Sequence, residues 1–178
     1  MAEYISFQPK DYFGSKLYTG NNTTQSITGV GFQPDFTWIK ARSYTEDHAL
    51  FDAVRGGTKM IASNTTGAET TSVNNITSFD ADGFSVGSTD AINDNAVTYA
   101  SWSWRMGTTS GLTGGTITPS AYSINTTAGQ SIIAYTGTGS NATVPHGLGV
   151  APQMIIVKRL TGTANNFNVG HNSQNSGT

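Results

Sequence analysis

An internal repeat is the feature that most restricts the fold of this chain. The segments YTGNNTTQSITGVGFQPDFTWIKAR, residues 18–42, and YTGTGSNATVPHGLGVAPQMIIVKR, residues 135–159, share a Tyr-Thr-Gly start, a Gly-apolar-x-Pro tetrad and an apolar run ending in lysine. Tyrosine to proline spans 16 positions in the first copy and 17 in the second, whereas proline to lysine spans six in both. A one-residue difference belongs in a loop, so the pattern predicts one repeated supersecondary unit. Matching Thr/Gly composition is the alternative, but it does not explain the shared proline and lysine.

The offset between the copies predicts the domain organisation. It implies a unit of about 110 to 120 residues, whereas the chain has 178. We therefore predict a first unit at residues 1–106, a Gly/Thr-rich linker at 107–129 and a partial second unit at 130–178. Half a sandwich cannot bury its core, so we expect further chain or neighbouring subunits to complete the second unit.

Short apolar stretches between turn residues indicate an all-β fold. Asp-Gly at positions 82 and 83, inside the alternating stretch 76–87, predicts a hairpin. The stretch 98–105 alternates, with Trp102 and Trp104 on one face and Tyr99 on the other. We expect the tryptophans to lie in the core, whereas residues 46–55 fit either strand or irregular structure. The predicted fold is an antiparallel β-sandwich of the concanavalin-like or jelly-roll type.

Composition excludes several classes of function. The net charge is -2 and the nine basic residues are scattered, which argues against a nucleic-acid partner. The chain has no cysteine, so disulfides and thiolate metal sites are excluded. It shows no signal-peptide pattern and no apolar stretch of membrane-spanning length. We therefore expect synthesis in the cytoplasm and no membrane insertion.

Two motifs suggest ligand sites, and a simpler explanation exists for each. Residues 137–142, GTGSNA, fit a loose dinucleotide-binding pattern, but the helix that this pattern requires cannot follow because Pro145 comes next. Asp80 to Gly83 resemble the start of a calcium loop, with Asp90 and Asp94 nearby, but Ala91 stands where a bidentate glutamate is needed. A hairpin turn explains the aspartates without a metal. We predict no cofactor and no metal site.

The sequence also contains weak candidates for catalysis. Glu46, Asp47 and Asp52 surround His48, as an acid–base site would require, but a solvated loop explains them equally well. Arg55, before two glycines, suits a carboxylate or a sheet edge, and His146 suits a ligand or a turn. A polysaccharide depolymerase would need carboxylates facing each other across a groove, and no spacing indicates such a pair. We therefore predict no catalytic residues and no enzyme.

The long motifs FQPDFTWIKAR, HALFDAVRG, FDADGFSVG and TYASWSWR, together with the repeat, identify a resemblance. They resemble a repeated β-sandwich domain of unknown function in virion structural and tail-fibre-like proteins of marine phages, including cyanophages and pelagiphages. The resemblance covers residues 4–105, and residues 130–171 resemble the start of a second unit. Phe167 stands where that family commonly has tryptophan. The resemblance implies a concanavalin-like sandwich and carries over no catalytic residue.

The resemblance also implies a function. We expect a virion structural protein, a tail fibre or its particle-proximal segment, that acts in assembly and host attachment. Its partners would be other virion proteins and further copies of itself, with a trimer favoured. A capsid-exterior fibre, knob or decoration protein is one alternative. A glycan-binding module on host surfaces is another, for which Tyr44, Tyr99 and Tyr122 are the candidate exposed aromatic residues.

Overall fold

Antiparallel strands make up almost all of the regular structure in the computed structural model, which describes residues 7–174. Predictions that concern residues 1–6 and 175–178 lie outside this range. The elements are β1 (Phe13–Thr19), β2 (Gln25–Thr28), β3 (Phe36–Ala41), β4 (Ala49–Asp52), β5 (Lys59–Ala62), β6 (Thr70–Thr71), β7 (Ile76–Asp80), β8 (Gly83–Val86), α1 (Asp90–Asn93), β9 (Thr98–Trp104), β10 (Ala121–Asn125), β11 (Gln130–Ala134), β12 (Met154–Val157) and β13 (Asn168–His171).

Two sheets form the sandwich. A six-stranded sheet has the order β1-β9-β3-β4-β5-β6, and a three-stranded sheet has the order β2-β8-β7. Their facing side chains form one apolar core, and the predicted all-β antiparallel sandwich is confirmed. Among the described residues, no helix is long and apolar enough to cross a bilayer. The buried core comprises Ile27, Ile39, Ala41, Ala49, Phe51, Ile76, Phe84, Val86, Ile92, Val97 and Tyr99.

The predicted burial of the tryptophans is wrong, because β9 directs its other face inwards. Tyr99 lies in the core with no exposed surface, whereas Trp102 and Trp104 point outwards and stay partly exposed. Ser103 also faces inwards, and its hydroxyl shares a hydrogen bond of 3.2 Å with Thr37. A hydroxyl group that keeps a hydrogen-bond partner can be buried with little loss of folding free energy. The alternation was therefore correct, and only its direction was wrong.

The hairpin predicted around Asp-Gly joins β7 to β8. Gly83 has φ +144°, and a Cβ atom there would collide with the carbonyl oxygen of Ile27 on the neighbouring strand β2. Glycine is therefore required at this turn for two separate reasons. The ambiguous stretch 46–55 contains strand β4, which pairs with β3.

The chain after residue 106 forms two separate hairpins. β10 pairs with β11, and β12 pairs with β13. The predicted linker at 107–129 is therefore not irregular throughout, since it contains β10. Asp35 joins this region to the sandwich: its carboxylate accepts hydrogen bonds from the Ser123 hydroxyl at 2.7 Å and from the Met106 backbone N–H at 2.8 Å. No residue from 126 to 173 is buried.

The β12–β13 hairpin has the same layout as the β3–β4 hairpin. In both, the first strand begins two residues after the repeated proline and makes four residue pairs with the next strand. Gly31 and Gly149 of the repeated tetrads both have positive φ, +94° and +74°. The surroundings differ, because β3 also pairs with β9, whereas in the described part of the chain β12 pairs with β13 alone.

Candidate functional site

Partly exposed aromatic side chains cover the outer side of the six-stranded sheet, opposite the core. They come from β1, β3 and β9, and strand alternation places them on one side of the sheet. Aromatic rings of this kind provide a large apolar contact area, and the indole N–H groups at their edges can still form hydrogen bonds. We call this group the aromatic face; its members are Phe13, Phe36, Trp38, Trp102 and Trp104.

The sheet register arranges the aromatic face in two rows. Phe13 and Phe36 flank Trp104, with ring centroids 5.1 and 5.3 Å from that of the indole. Trp102 and Trp38 form the second row, with centroids 6.1 Å apart and planes at 69°. Such tilted and edge-on contacts stabilise neighbouring rings. The rings therefore hold one another in position on the sheet.

Polar groups border this surface at His48. The Trp38 indole N–H donates to His48 Nδ1 at 3.0 Å, so a neutral His48 ring carries its proton on Nε2. Asn64 accepts from the His48 backbone N–H at 2.9 Å and donates to the Asp47 carboxylate at 2.8 Å. His48 thus has a fixed position and a hydrogen bond to an indole, rather than one of the carboxylates that an acid–base site would need.

The other acidic candidate, Asp52, belongs to a buried ion-pair network. Arg55 Nε lies 2.6 Å from Asp52, and Arg55 Nη1 lies 2.9 Å from Glu69. Lys59 is 3.7 Å from the second Glu69 oxygen. Arg55 therefore does hold carboxylates, but they are those of its own chain. Both acids have their partners here, so this cluster supports structure and leaves no unpaired carboxylate for a substrate.

The aspartates of the calcium-like stretch are also engaged locally. The Asp80 carboxylate accepts hydrogen bonds from Ser78 and Ser85, both at 2.7 Å. The Asp82 carboxylate accepts from the backbone N–H of Gly31 at 2.6 Å and of Gly29 at 2.9 Å, and these two bonds lower the pKa of Asp82. Within residues 7–174 no group of three or more acidic or histidine side chains is placed to hold a metal ion.

The three candidate tyrosines lie in three different environments. Tyr44 is 59% exposed in the loop after β3. Tyr99 is a correction, because it lies in the core: its hydroxyl donates to the Asp90 carbonyl at 2.7 Å and accepts from the Asp94 backbone N–H at 2.9 Å. Tyr122 lines a groove of about 320 Å³ beside β10. They do not form a common site.

The remaining motifs have local structural roles. His146 Nδ1 accepts the backbone N–H of Leu148 at 3.2 Å, as the turn interpretation predicts. Residues 143–148, which follow the dinucleotide-like motif, contain no helix. This motif therefore lacks the helix N-terminus that binds a pyrophosphate group.

A second surface is formed by the β12–β13 hairpin. Met154, Ile155, Ile156 and Val169 are exposed by 57%, 52%, 56% and 57%. We call these four residues the hairpin surface. It includes both faces of β12, and the outer edge of that strand pairs with no other strand in the described range. An uncharged apolar edge strand is a template for pairing with another chain.

Comparison with known proteins gives one match. The model of a domain of unknown function, DUF7483, matches residues 8–178. The chain belongs to the DUF7483 family. No curated protein and no solved structure matches it. Because DUF7483 is a domain of unknown function, membership in this family assigns no activity. The surfaces of the molecule are therefore the basis for a proposed function.

Sequence reasoning missed both surfaces of this DUF7483 chain: alternation grouped the tryptophans of β9 on one face, whereas nothing in the sequence indicates the exposure of β12. The aromatic face was assigned to the core because tryptophan is large and apolar. The serines at 101 and 103 made the opposite face of β9 look polar, whereas burial of Tyr99 marks that face as inward. The run MIIV at 154–157 is the apolar run of the second repeat copy, and its exposure follows because, among the described residues, no strand other than β13 pairs with β12.

Proposed function

We propose that this protein is a bacteriophage virion structural protein, a tail fibre or its particle-proximal segment. It is synthesised in the host cytoplasm and acts in the virion through assembly and host attachment rather than through catalysis. Its resemblance to repeated modules of marine phage virion proteins supports this proposal. The pairing of Asp52, Arg55 and Glu69 with one another is consistent with a structural rather than a catalytic role.

The hairpin surface is the observation that carries the proposal. Residues 126–173 bury no side chain, and three consecutive apolar residues of β12 are more than half exposed. Soluble monomers seldom leave such an edge uncovered, because it promotes uncontrolled pairing. Contact with further virion subunits would cover it. We propose that these partners are other virion proteins and copies of this chain, with a trimer as the homo-oligomer.

Labelled particles test the location. We expect a tag fused to this protein to give density at the tail in images of purified phage. Density at the head alone would reject the tail assignment in favour of a capsid-exterior fibre, knob or decoration protein. Absence of the protein from purified particles would reject the virion role altogether.

Native mass measurement tests the oligomer separately. We expect a mass of three chains, each of 18.7 kDa, for the purified protein. Replacing Ile156 by lysine should shift this mass to one chain if the hairpin surface forms the contact. A monomer at all concentrations would reject the homo-trimer while leaving contacts with other virion proteins to be tested on the particle.

A second candidate function, glycan binding, is favoured by the aromatic face. Its partly exposed rings provide apolar planes, and His48, Asn64 and Asp47 supply hydrogen-bonding groups at one border. Sugar rings pack their C–H faces on aromatic planes and hydrogen-bond at their edges. This candidate uses the outer face of the sandwich and needs no catalytic group.

A glycan array tests the second candidate. We expect binding to host surface polysaccharide that is lost on Phe13→Ala, because Phe13 is the most exposed ring of the aromatic face at 41%. Tyr44→Ala is the matched control, since Tyr44 is more exposed but lies outside the face. No hit on the array, or equal loss in both variants, would reject this site.

A further inference from the structure

We infer that the free edge of β12 binds an extended segment of β9-like sequence from a second chain, in which that segment is not already held between two strands as β9 is here. This inference deepens the proposed role in assembly and rests on it. It specifies the partner as an extended segment with alternating aromatic and small residues, bound through its backbone. Recognition of this kind adds a strand to an exposed sheet edge.

The first part of the chain provides the template. There, β3 has β4 on one side and β9 on the other, so both of its edges are paired. β9 pairs with β3 over six residue pairs, from Phe36 opposite Trp104 to Ala41 opposite Tyr99. The hairpin and its third strand therefore form one paired unit in the first part of the chain.

Within residues 7–174, the second part of the chain has the hairpin without a third strand. Met154 lies opposite His171 and Val157 opposite Asn168, which repeats the four-pair layout of β3 and β4. β11, the strand before the repeated Tyr135, pairs with β10, and no described strand lies between β11 and β12. The vacant position is the one that β9 fills between β1 and β3.

Side-chain chemistry also fits a strand like β9. If the β3–β9 register is transferred, Met154 and Ile156 take the places of Phe36 and Trp38, which lie opposite Trp104 and Trp102. The two exposed apolar side chains would then pack beside incoming indole rings. Aromatic and aliphatic cross-strand pairs stabilise sheets.

The same register places a small residue at the intervening position. Ile155 takes the place of Thr37, which lies opposite Ser103. A bulky isoleucine therefore meets a small residue of the incoming strand, which limits crowding on that face. The strands β12 and β13 contain no acidic residue and no proline, so neither charge nor a missing N–H opposes pairing.

A peptide tests the inference directly. The probe is a synthetic peptide with the sequence of residues 96–106, AVTYASWSWRM, carrying a fluorescent label and a lysine tail for solubility. We expect saturable binding to the full chain and slower hydrogen exchange at the backbone amides of 154–157. A peptide of scrambled sequence with the same tail should bind at least tenfold more weakly.

Two matched variants locate the binding site. Ile156→Lys should weaken peptide binding at least tenfold, while Val73→Lys, at a position 76% exposed in the first part of the chain, should leave it unchanged. Because both positions are exposed, both variants should keep the circular dichroism spectrum of the parent protein. Loss of binding in both variants would place the peptide elsewhere and overturn the inference.

Other outcomes are also decisive. Equal binding of the scrambled peptide, or no slowing of exchange at 154–157, would overturn the inference. Slow exchange at 154–157 in a peptide-free dimer would show that a second β12, rather than a β9-type strand, occupies the edge. None of these results bears on where the protein lies in the particle, so failure of the inference is distinguishable from failure of the proposed function.

Discussion

Two stacked tyrosines fasten the core of the sandwich to α1. Tyr18 and Tyr99 lie opposite each other on β1 and β9, with ring centroids 5.1 Å apart. The Tyr18 hydroxyl donates to the Ile92 carbonyl at 2.7 Å, and the Tyr99 hydroxyl binds backbone groups of Asp90 and Asp94. Burial raises the pKa of both phenols, because the phenolate would lose its hydration. Both residues therefore act in structure rather than in binding.

Tyr99→Phe should lower the free energy of unfolding by about 1 to 3 kcal/mol. The reason is that the backbone N–H of Asp94 and the carbonyl of Asp90 would lose their partner in two partly buried hydrogen bonds. Denaturant unfolding measures the change. Tyr44→Phe, at an exposed position, serves as the control and should change stability by less than about 0.5 kcal/mol. Equal effects would contradict the structural role of Tyr99.

Asp82 should make stability sensitive to acid. Its pKa is lower in the folded chain than the ordinary value of 3.8, because Gly31 and Gly29 donate to the carboxylate. The unfolded chain therefore binds this proton first as the pH falls, and the stabilisation present above about pH 4 is lost below it. The difference in unfolding free energy between the parent and Asp82→Asn should shrink between pH 5 and pH 2.5.

Val73→Ala is the control for this pH series, because Val73 is 76% exposed and its side chain does not titrate. Its difference from the parent should stay nearly constant over the same range. If the Asp82 difference is also constant with pH, the two backbone hydrogen bonds do not stabilise the charged form, and their assigned role is wrong.

At the scale of elements, the sequence determined strand positions better than strand surroundings. Alternation placed β9, and Asp-Gly placed the turn between β7 and β8. Alternation shows which side chains share a face, but the direction of that face depends on the second sheet, so the tryptophans of β9 were misplaced. β5 and β13 were missed because KMIA and NVGH lack the clear alternation that identified β9, and β10 was missed because it lies in the predicted linker. The exposure of β12 could not be predicted, because it depends on its having no second partner strand among the described residues.

Two isoleucines in equivalent hairpins should respond very differently to truncation. Ile39 on β3 is fully buried, so Ile39→Ala should cost about 2 to 5 kcal/mol in unfolding free energy. Ile155 on β12 is 52% exposed, so Ile155→Ala should cost less than about 0.5 kcal/mol. Denaturant unfolding of the purified single chain compares them. A cost for Ile155→Ala near that of Ile39→Ala would mean that β12 is covered in solution.

The whole molecule combines a completed sandwich with a second segment that adds little burial. Every residue of the main core lies between positions 27 and 99. Hydrogen bonds attach the later segment, among them Asp35 to Ser123 and the Lys158 ammonium to the Thr66 carbonyl at 3.1 Å. Backbone bonds from Glu69 to Leu160 and from Asn165 to Thr66, both 3.0 Å, also join it to the first part of the chain. Few buried contacts and solvent-exposed backbone bonds mark regions that open locally. Stability should therefore be distributed unevenly along the chain.

Hydrogen exchange should reveal this distribution. In the single chain, we expect the amides of β3 and β9 to exchange slowest, because they are released only by unfolding of the core. The amides of β12 and β13 should exchange fastest among the strands, because opening that hairpin exposes no buried side chain. Mass spectrometry of peptic fragments at low protein concentration separates the two groups. At high protein concentration, hydrogen exchange of the β12 amides should become slower, because assembly covers the unpaired edge of β12. Exchange of the β3 amides should stay unchanged, because both edges of β3 are already paired. Protection of β12 equal to that of β3 at low concentration would mean that the segment folds with the sandwich, and the edge would then not be available to a partner.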